Sequence, residues 1–244
     1  MGHDIQNIPL LNLALSFIPV LFALAILFKW SLSSSNAIYA LARMLVQLLL
    51  VGYLLSYIFE AENAAIVITV LAIMVFASSW IALGTIPIKR STLYKQALLS
   101  IAAGGGFTLL IITQGVLNLD PWYLPQLIIP LAGMIFANSM NSVSLAAERL
   151  NAEIDRKALY IEARHIALHA SLIPVINSLF AVGLVSLPGM MTGQILSGVS
   201  PLIAARYQII VMCMIFASSI LSAVIFLLLS ESKMLKIIEE KRNA

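Results

Sequence analysis

Apolar residues fall into seven long runs separated by short polar stretches: Leu10 to Phe28, Ala37 to Ile58, Ala64 to Ile86, Ala97 to Leu117, Leu124 to Val143, Ile166 to Val185 and Tyr207 to Leu229. Each run is close to the ~20 residues that a helix needs to cross a hydrocarbon core of about 30 Å. None alternates with the period of two that outer-membrane barrel strands show. In lipid, a lone run can satisfy its own amides only as a helix. The pattern predicts an all-α, polytopic integral membrane protein of about seven transmembrane helices, forming a single transmembrane domain over residues 1–244.

Composition agrees and narrows the function classes. Of 244 residues 61% are hydrophobic and only 10% charged, where soluble domains carry about 25% charged residues; mean hydropathy is +1.01. Seven crossings use about 140 residues, which leaves no room for a separate soluble domain. A nucleotide-hydrolysing loop of the form G-x-x-x-x-G-K-[ST] is missing: Gly104-Gly105-Gly106 runs into Phe107 without the lysine. This chain is therefore expected to bind no cofactor, and any ATP it uses must be hydrolysed on a partner subunit. Cys213 is the sole cysteine, so neither a disulfide framework nor a thiolate cluster can be built from one chain.

The net charge of +3 looks like a nucleic-acid signal until the basic residues are placed. Lys29 follows the first run; Lys89, Arg90 and Lys95 follow the third; Arg149, Arg156, Lys157 and Arg164 follow the fifth; Lys233, Lys236, Lys241 and Arg242 follow the seventh. The intervening links hold only Arg206, with the acids Glu60, Glu62 and Asp120. Under the positive-inside rule the N-terminus lies outside and the C-terminus in the cytoplasm, with Trp122 and Tyr123 anchoring the outer interface and Trp30 the inner one. The basic residues mark orientation, and the expected environment is a lipid bilayer with no nucleic-acid partner. The first nine residues hold no Lys or Arg, which reads as a retained span rather than a cleaved signal peptide.

Polar residues inside the runs are the candidate machinery. Arg43 and Gln47 stand four apart and share a helix face, either snorkelling to the cytoplasmic end or lining a translocation path. The fifth run carries Pro130, Gly133, Met134, Asn138, Ser139, Asn141 and Ser142, with Gly133, Ala137 and Asn141 spaced for close helix approach. The stretch Val185 to Gly198 is interrupted by Pro188 and Gly189, and broken backbone in a membrane is tolerated only against protein or a wet cavity. Two readings compete there: a substrate path, or a tight outer turn that packs through Gly189 and Gly193. Met190 and Met191 offer thioethers, which favour copper(I) over iron, but the pair alone does not make a metal site. From Glu148 to His169, Leu150, Ile154, Ile161 and Leu168 recur near helical spacing and Glu153 is set four before Lys157, which predicts an amphipathic cytoplasmic helix. It is either a linker or a docking surface for a cytoplasmic partner. His165 and His169 share a face, but without a second ligand-bearing helix they read as a surface pair.

The string Gly183-Leu-Val-Ser-Leu-Pro-Gly-Met-Met-Thr-Gly-Gln-Ile-Leu-Ser-Gly198, followed by Pro201 and Arg206-Tyr207-Gln208-Ile209, closely resembles the signature of FetB-like permeases, the membrane subunits of an ABC transporter implicated in iron export. Arg43 with Gln47-Leu48 and Gly52-Tyr53, Ile129 to Ile135 with Asn138-Ser139-Met140, and Ile173-Pro174 with Asn177-Ser178 extend the resemblance over most of the chain. The resemblance implies a homodimeric permease of the bacterial inner membrane, working with a cytoplasmic ABC ATPase subunit and exporting iron or another small solute. Plant relatives are associated with sugar-nucleotide transport and aluminium tolerance. On this reading Arg43, Gln47, Asn138, Asn141, Asn177, Pro188, Gly189, Met190, Met191 and Gly193 line the translocation path. Residues 148–171 form the coupling segment, with Glu162, Ala163 and Ala167 at the ATPase contact. One departure stands out: members of the family usually carry a longer cytoplasmic segment with a Leu-Gly-Ala-type element, whereas here Glu162 to Ser171 runs almost at once into Leu172-Ile173-Pro174.

Two rival classes fit less well. An intramembrane enzyme needs an acid–base pair or metal triad in the bilayer, yet every Asp and Glu lies outside the apolar runs and no H-E-x-x-H occurs. A self-sufficient channel or secondary transporter coupled to protons usually carries a buried carboxylate or histidine in its spans.

Overall fold

The computed structural model describes residues 9–32, 34–59, 63–86, 88 and 90–243. Glu60, Glu62 and Lys89 of the charge reading lie outside the described residues. The chain divides into two compact units, residues 1–61 and 62–244.

The first unit holds α1 (Leu10–Leu15), α2 (Phe17–Lys29) and α3 (Ser34–Phe59). Ser16 joins α1 to α2, its hydroxyl donating to the Leu13 carbonyl at 2.7 Å, so the two together make one 20-residue apolar rod. No described residue of this unit is buried. Its leucines and aromatics, Phe22 and Leu49 among them, project outward, as they would into lipid.

The second unit begins with α4 (Ala64–Ala82), capped by Asn63 Oδ1, which accepts from the Ala65 amide at 2.8 Å. It continues with α5 (Arg90–Leu110), prolonged by a π-helical turn at Ile111–Val116, then α6 (Pro125–Asp155), α7 (Tyr160–Ala181), α8 (Gly189–Leu196) and α9 (Pro201–Asn243). The core forms where α5, α6 and α9 meet: Leu93, Ile101, Ile135, Val143, Met214 and Phe226 are almost wholly buried there. Small polar residues bring the helices together, Ser139 donating across to the Ser218 carbonyl at 3.3 Å. At one end Tyr160 donates to the Leu227 carbonyl and Lys233 to the Thr92 carbonyl. These bonds gather the start of α5, the end of α6, the start of α7 and the later part of α9, and with them Arg90, Arg149, Arg156, Arg164 and Lys233. These five basic residues thus share an end in space as in the sequence pattern, whereas Arg206, near the start of α9, stands toward the other. Helix α9 has 43 residues, about 65 Å at 1.5 Å per residue, twice the thickness of a hydrocarbon core.

The fold is an all-helical membrane fold, and among the described residues six helices, rather than seven, are long and apolar enough to cross a bilayer. The expected sixth span corresponds to α7, whose 22 residues include Arg164, His165, His169 and Asn177. Those groups dilute its apolarity. Its course is nonetheless that of a traversing helix: it returns antiparallel along α6, so that α9 starts at the opposite end from the basic one.

The segment expected as one amphipathic helix from Glu148 to His169 is divided. Its first part is the last two turns of α6, its second the start of α7, with a tight turn between. The expected Glu153–Lys157 pair does not form, because α6 stops at Asp155 and Lys157 lies beyond it at φ +66°. Glu153, only 6% exposed, instead takes Arg149 at 2.6 Å and Arg156 at 3.2 Å. Removing Arg149 leaves a buried carboxylate served only by the exposed Arg156. Arg149→Ala is therefore expected to lower stability by about 1–3 kcal/mol, while Lys157→Ala changes it little; thermal unfolding in detergent separates the two.

Candidate functional site

Helices α6, α7 and α9 do not close completely on one another. Between them lies a cleft of about 380 Å³ lined by Asn138, Asn141, Ser142, Ser171, Ser178 and Ser219, with Pro174, Val175 and Ile215. A second cleft, of about 260 Å³, is lined by Met134, Ser178, Ser186, Pro188, Met190, Gln208 and Met212 with their apolar neighbours. Ser178 and Ile215 line both, so the two form one groove.

The groove follows from helical periodicity. On α9, Gln208, Met212, Ile215 and Ser219 fall at spacings of four, three and four, which is one face; on α7 Ser171, Val175 and Ser178 share one in the same way, with Val182 just past the helix end. Asn138 stands roughly 20 Å along α6 from Pro125, near the middle of that helix and half-buried. Its Nδ2 donates to the Met134 carbonyl at 2.8 Å, which leaves its carbonyl oxygen for the cleft. Pro174 has no amide to give, so α7 loses a helical hydrogen bond at the wall of the groove. The lining is neutral and polar: amides, hydroxyls and thioethers, with no carboxylate. Its combined size suits a small solute.

Not every expected residue takes part. Asn138 and Asn141 line the first cleft, and Pro188, Gly189 and Met190 the second. Met191, Gly193 and Asn177 line neither, Asn177 being exposed beside Ser178 on α7. Arg43 and Gln47 lie on α3 of the first unit, both exposed, about 14 Å and 20 Å from the start of a helix about 39 Å long. The break at Val185 to Gly198 is real. After α7 the chain turns at Gly183 (φ +83°), Pro188 precedes α8, and a second turn at Gly198 (φ +92°) leads into α9. Close packing through Gly189 and Gly193 does not occur within the chain, because a Cβ at either would meet nothing within 4 Å. In α6 only the Gly133 position of the small-residue series is in contact, a Cβ there lying 3.4 Å from Met74 Cε; Ala137 and Asn141 are exposed.

The groove also contains Ser171, Met212 and Ser219, which no path motif marked, and Met134 and Gln208, which stood in the polar run and the signature string without a place on the path. Serine and methionine are common in apolar helices, and only their convergence from three helices gives them a role. The shared face of Gln208, Met212, Ile215 and Ser219 is the one sequence signal that points to them.

At the basic end, Arg164, His165 and His169 line a further cleft of about 440 Å³ with Leu168, Leu172, Val224 and Leu228. Among the described residues no three His, Cys, Asp or Glu side chains are placed to share a metal ion. Of the three residues expected at an ATPase contact, Ala163 and Ala167 are fully buried, whereas Glu162 is exposed beside Leu159 and Ile161.

The model of an uncharacterised protein family, UPF0014, matches the chain over residues 10–165 and 155–235. The two stretches overlap at residues 155–165. A UPF0014 membrane protein of Synechocystis is 37% identical, with 78% of this chain and 80% of the relative covered. The Escherichia coli protein named as a probable iron export permease, FetB, is 32% identical over 92% of this chain and 90% of its own length. ALUMINUM SENSITIVE 3 of Arabidopsis thaliana is 32% identical, covering 86% and 82%. No solved structure matches the chain.

Proposed function

The chain belongs to the UPF0014 family of membrane proteins, and from that membership and the groove we propose that it is a permease exporting iron or another small solute, driven by ATP hydrolysed on a separate cytoplasmic ABC subunit. The single observation behind the path is the neutral polar groove between α6, α7 and α9, level with the middle of α6. Polar groups at that level of a bilayer are tolerated where protein or a water-filled cavity satisfies them, as along a solute path. Transport is then mechanical. Two copies pair in a bacterial inner membrane, C-termini inside. Closure of the ATPase displaces α7, and the groove opens alternately to the two sides, with the break around Pro188 and Gly189 absorbing the motion.

The basic end carries the coupling. Leu159 is 77% exposed and Ile161 64% on the turn between α6 and α7, with Glu162 beside them, which makes an apolar knob with a charged rim of the kind that fills a partner's groove. Ala163 and Ala167 hold this turn against the bundle.

The reading is tested by purification from native membranes followed by flux in liposomes. A nucleotide-binding protein is expected to co-purify and solute flux to require ATP. Leu159→Asp with Ile161→Asp is expected to remove the ATPase without unfolding the chain, since both side chains are exposed. Flux from liposomes holding this chain alone would replace the reading with a channel or secondary transporter.

A further inference from the structure

We propose that the cleft where α6, α8 and α9 converge is a binding site for a soft monovalent cation of the copper(I) or silver(I) type, held by the thioethers of Met134, Met190 and Met212. The inference deepens the permease reading, since the cleft is one end of the groove, but binding itself does not require transport.

Three observations carry it. First, one methionine comes from each of three elements, Met134 from α6, Met190 from α8 and Met212 from α9, and all line the same 260 Å³ cleft. The adjacent Met190-Met191 pair suggested by sequence is not the unit, since Met191 lies outside the cleft. Thioether sulfur is polarisable and neutral, and soft thioethers select copper(I) over the harder divalent ions.

Second, Gln208 lines the cleft while only 6% exposed, and its Oε1 is buried with no hydrogen-bond partner in the protein. A buried acceptor left without a donor is unfavourable. A turn of the Gln208 side chain toward the cleft would place that oxygen on a bound cation and give it the partner it lacks. Gln208 and Met212 are one helical turn apart on the same face of α9, so both stand on the same wall of the cleft, which Ser178 and Ser186 also line.

Third, the lining contains no carboxylate, imidazole or thiol. Desolvation rises with the square of the charge, so a monovalent ion costs roughly a quarter of what a divalent one does in such a neutral site. Iron(II) or zinc would enter without the anionic or imidazole ligands that they favour. Arg206, the nearest basic residue in sequence, is exposed and does not line the cleft.

The test uses the whole chain in lipid nanodiscs without an ATPase, carrying Cys213→Ser because the exposed thiol would compete for soft metals. Silver(I), and copper(I) held reduced by ascorbate, are titrated against a colour-forming copper(I) chelator, and retained metal is measured by mass spectrometry. One equivalent per chain is expected to survive chelator competition. It is expected to vanish in the triple variant Met134→Leu, Met190→Leu, Met212→Leu, and to weaken at least tenfold in each single variant. Excess iron(II) or zinc(II) is expected not to displace it. Leucine conserves the volume of methionine, and unchanged elution and thermal unfolding show that the variants fold; the single Met190→Leu variant, half-exposed, carries the test if the triple one does not. Equal retention by wild type and variants, or displacement by zinc(II), overturns the site. Retention without any ATP-dependent flux would leave the site standing and remove the permease reading instead.

Discussion

Replacing Gly104 with valine or leucine is expected to abolish the folded protein, while the same change at Gly106 leaves it intact. A Cβ built at Gly104 falls 2.6 Å from Ser222 Oγ, 2.7 Å from the Ser222 amide nitrogen and 3.0 Å from its Cα. Two of those three atoms are backbone, so no rotamer change relieves the contact and α5 must move away from α9. Gly105 presses against the Phe136 ring in the same manner, at 2.9 Å, which anchors α5 to α6. Overpacking costs about 1–3 kcal/mol where neighbours can shift. Here the neighbour is a buried helix backbone, so Gly104→Leu is expected at or above about 3 kcal/mol, with the added loss of packing around Ile101 and Phe226 as the helices part. At Gly106 a Cβ meets nothing within 4 Å, and Gly106→Leu adds apolar surface toward lipid. Size-exclusion yield in detergent and the thermal midpoint distinguish the two. A Gly104→Leu chain that elutes and melts like wild type would mean that α5 and α9 do not approach as described.

The triple glycine also shows what sequence can and cannot convey. As a string, Gly104-Gly105-Gly106 excludes a phosphate loop and goes no further; which of the three glycines matters depends on which face of α5 meets α9 and α6, and the string has no such information. The spans themselves are legible because lipid imposes a length and an apolarity on each run. Helix α7 resists that rule, since Arg164, His165, His169 and Asn177 are affordable only beside clefts, surfaces and neighbouring helices that exist once the bundle has formed. The Glu153–Lys157 expectation failed for a local reason: no Gly or Asn signals the end of α6, and Lys157 takes up the left-handed conformation those residues usually supply. In the groove, Asn138 and Asn141 could be picked out as amides in an apolar run. Met212 and Ser219 could not, and Gln208 stood only as one letter of a signature string, because their meaning comes from a shared face on α9 set against two other helices.

Ser178→Trp is expected to stop transport while leaving the fold unchanged. Ser178 and Ile215 are the residues common to both clefts, so an indole at 178 obstructs the groove at its junction. The site tolerates the change because Ser178 is exposed along α7, and substitutions at exposed positions usually alter stability by no more than about 0.5 kcal/mol. If the obstruction raises the barrier to passage by about 3 kcal/mol, flux falls by roughly two orders of magnitude. Ser178→Ala, which widens the groove, should transport near the wild-type rate. Ile176→Trp supplies the control: two residues away it points to the opposite side of α7, is 37% exposed and lines neither cleft, so it adds the same bulk to the same helix outside the groove. ATP-dependent flux in liposomes, measured on preparations that retain the ATPase equally, separates obstruction from loss of coupling. Normal flux through Ser178→Trp would place the path elsewhere, and the polar faces of α6, α7 and α9 would then need another explanation, such as a water-filled hinge on which the helices turn.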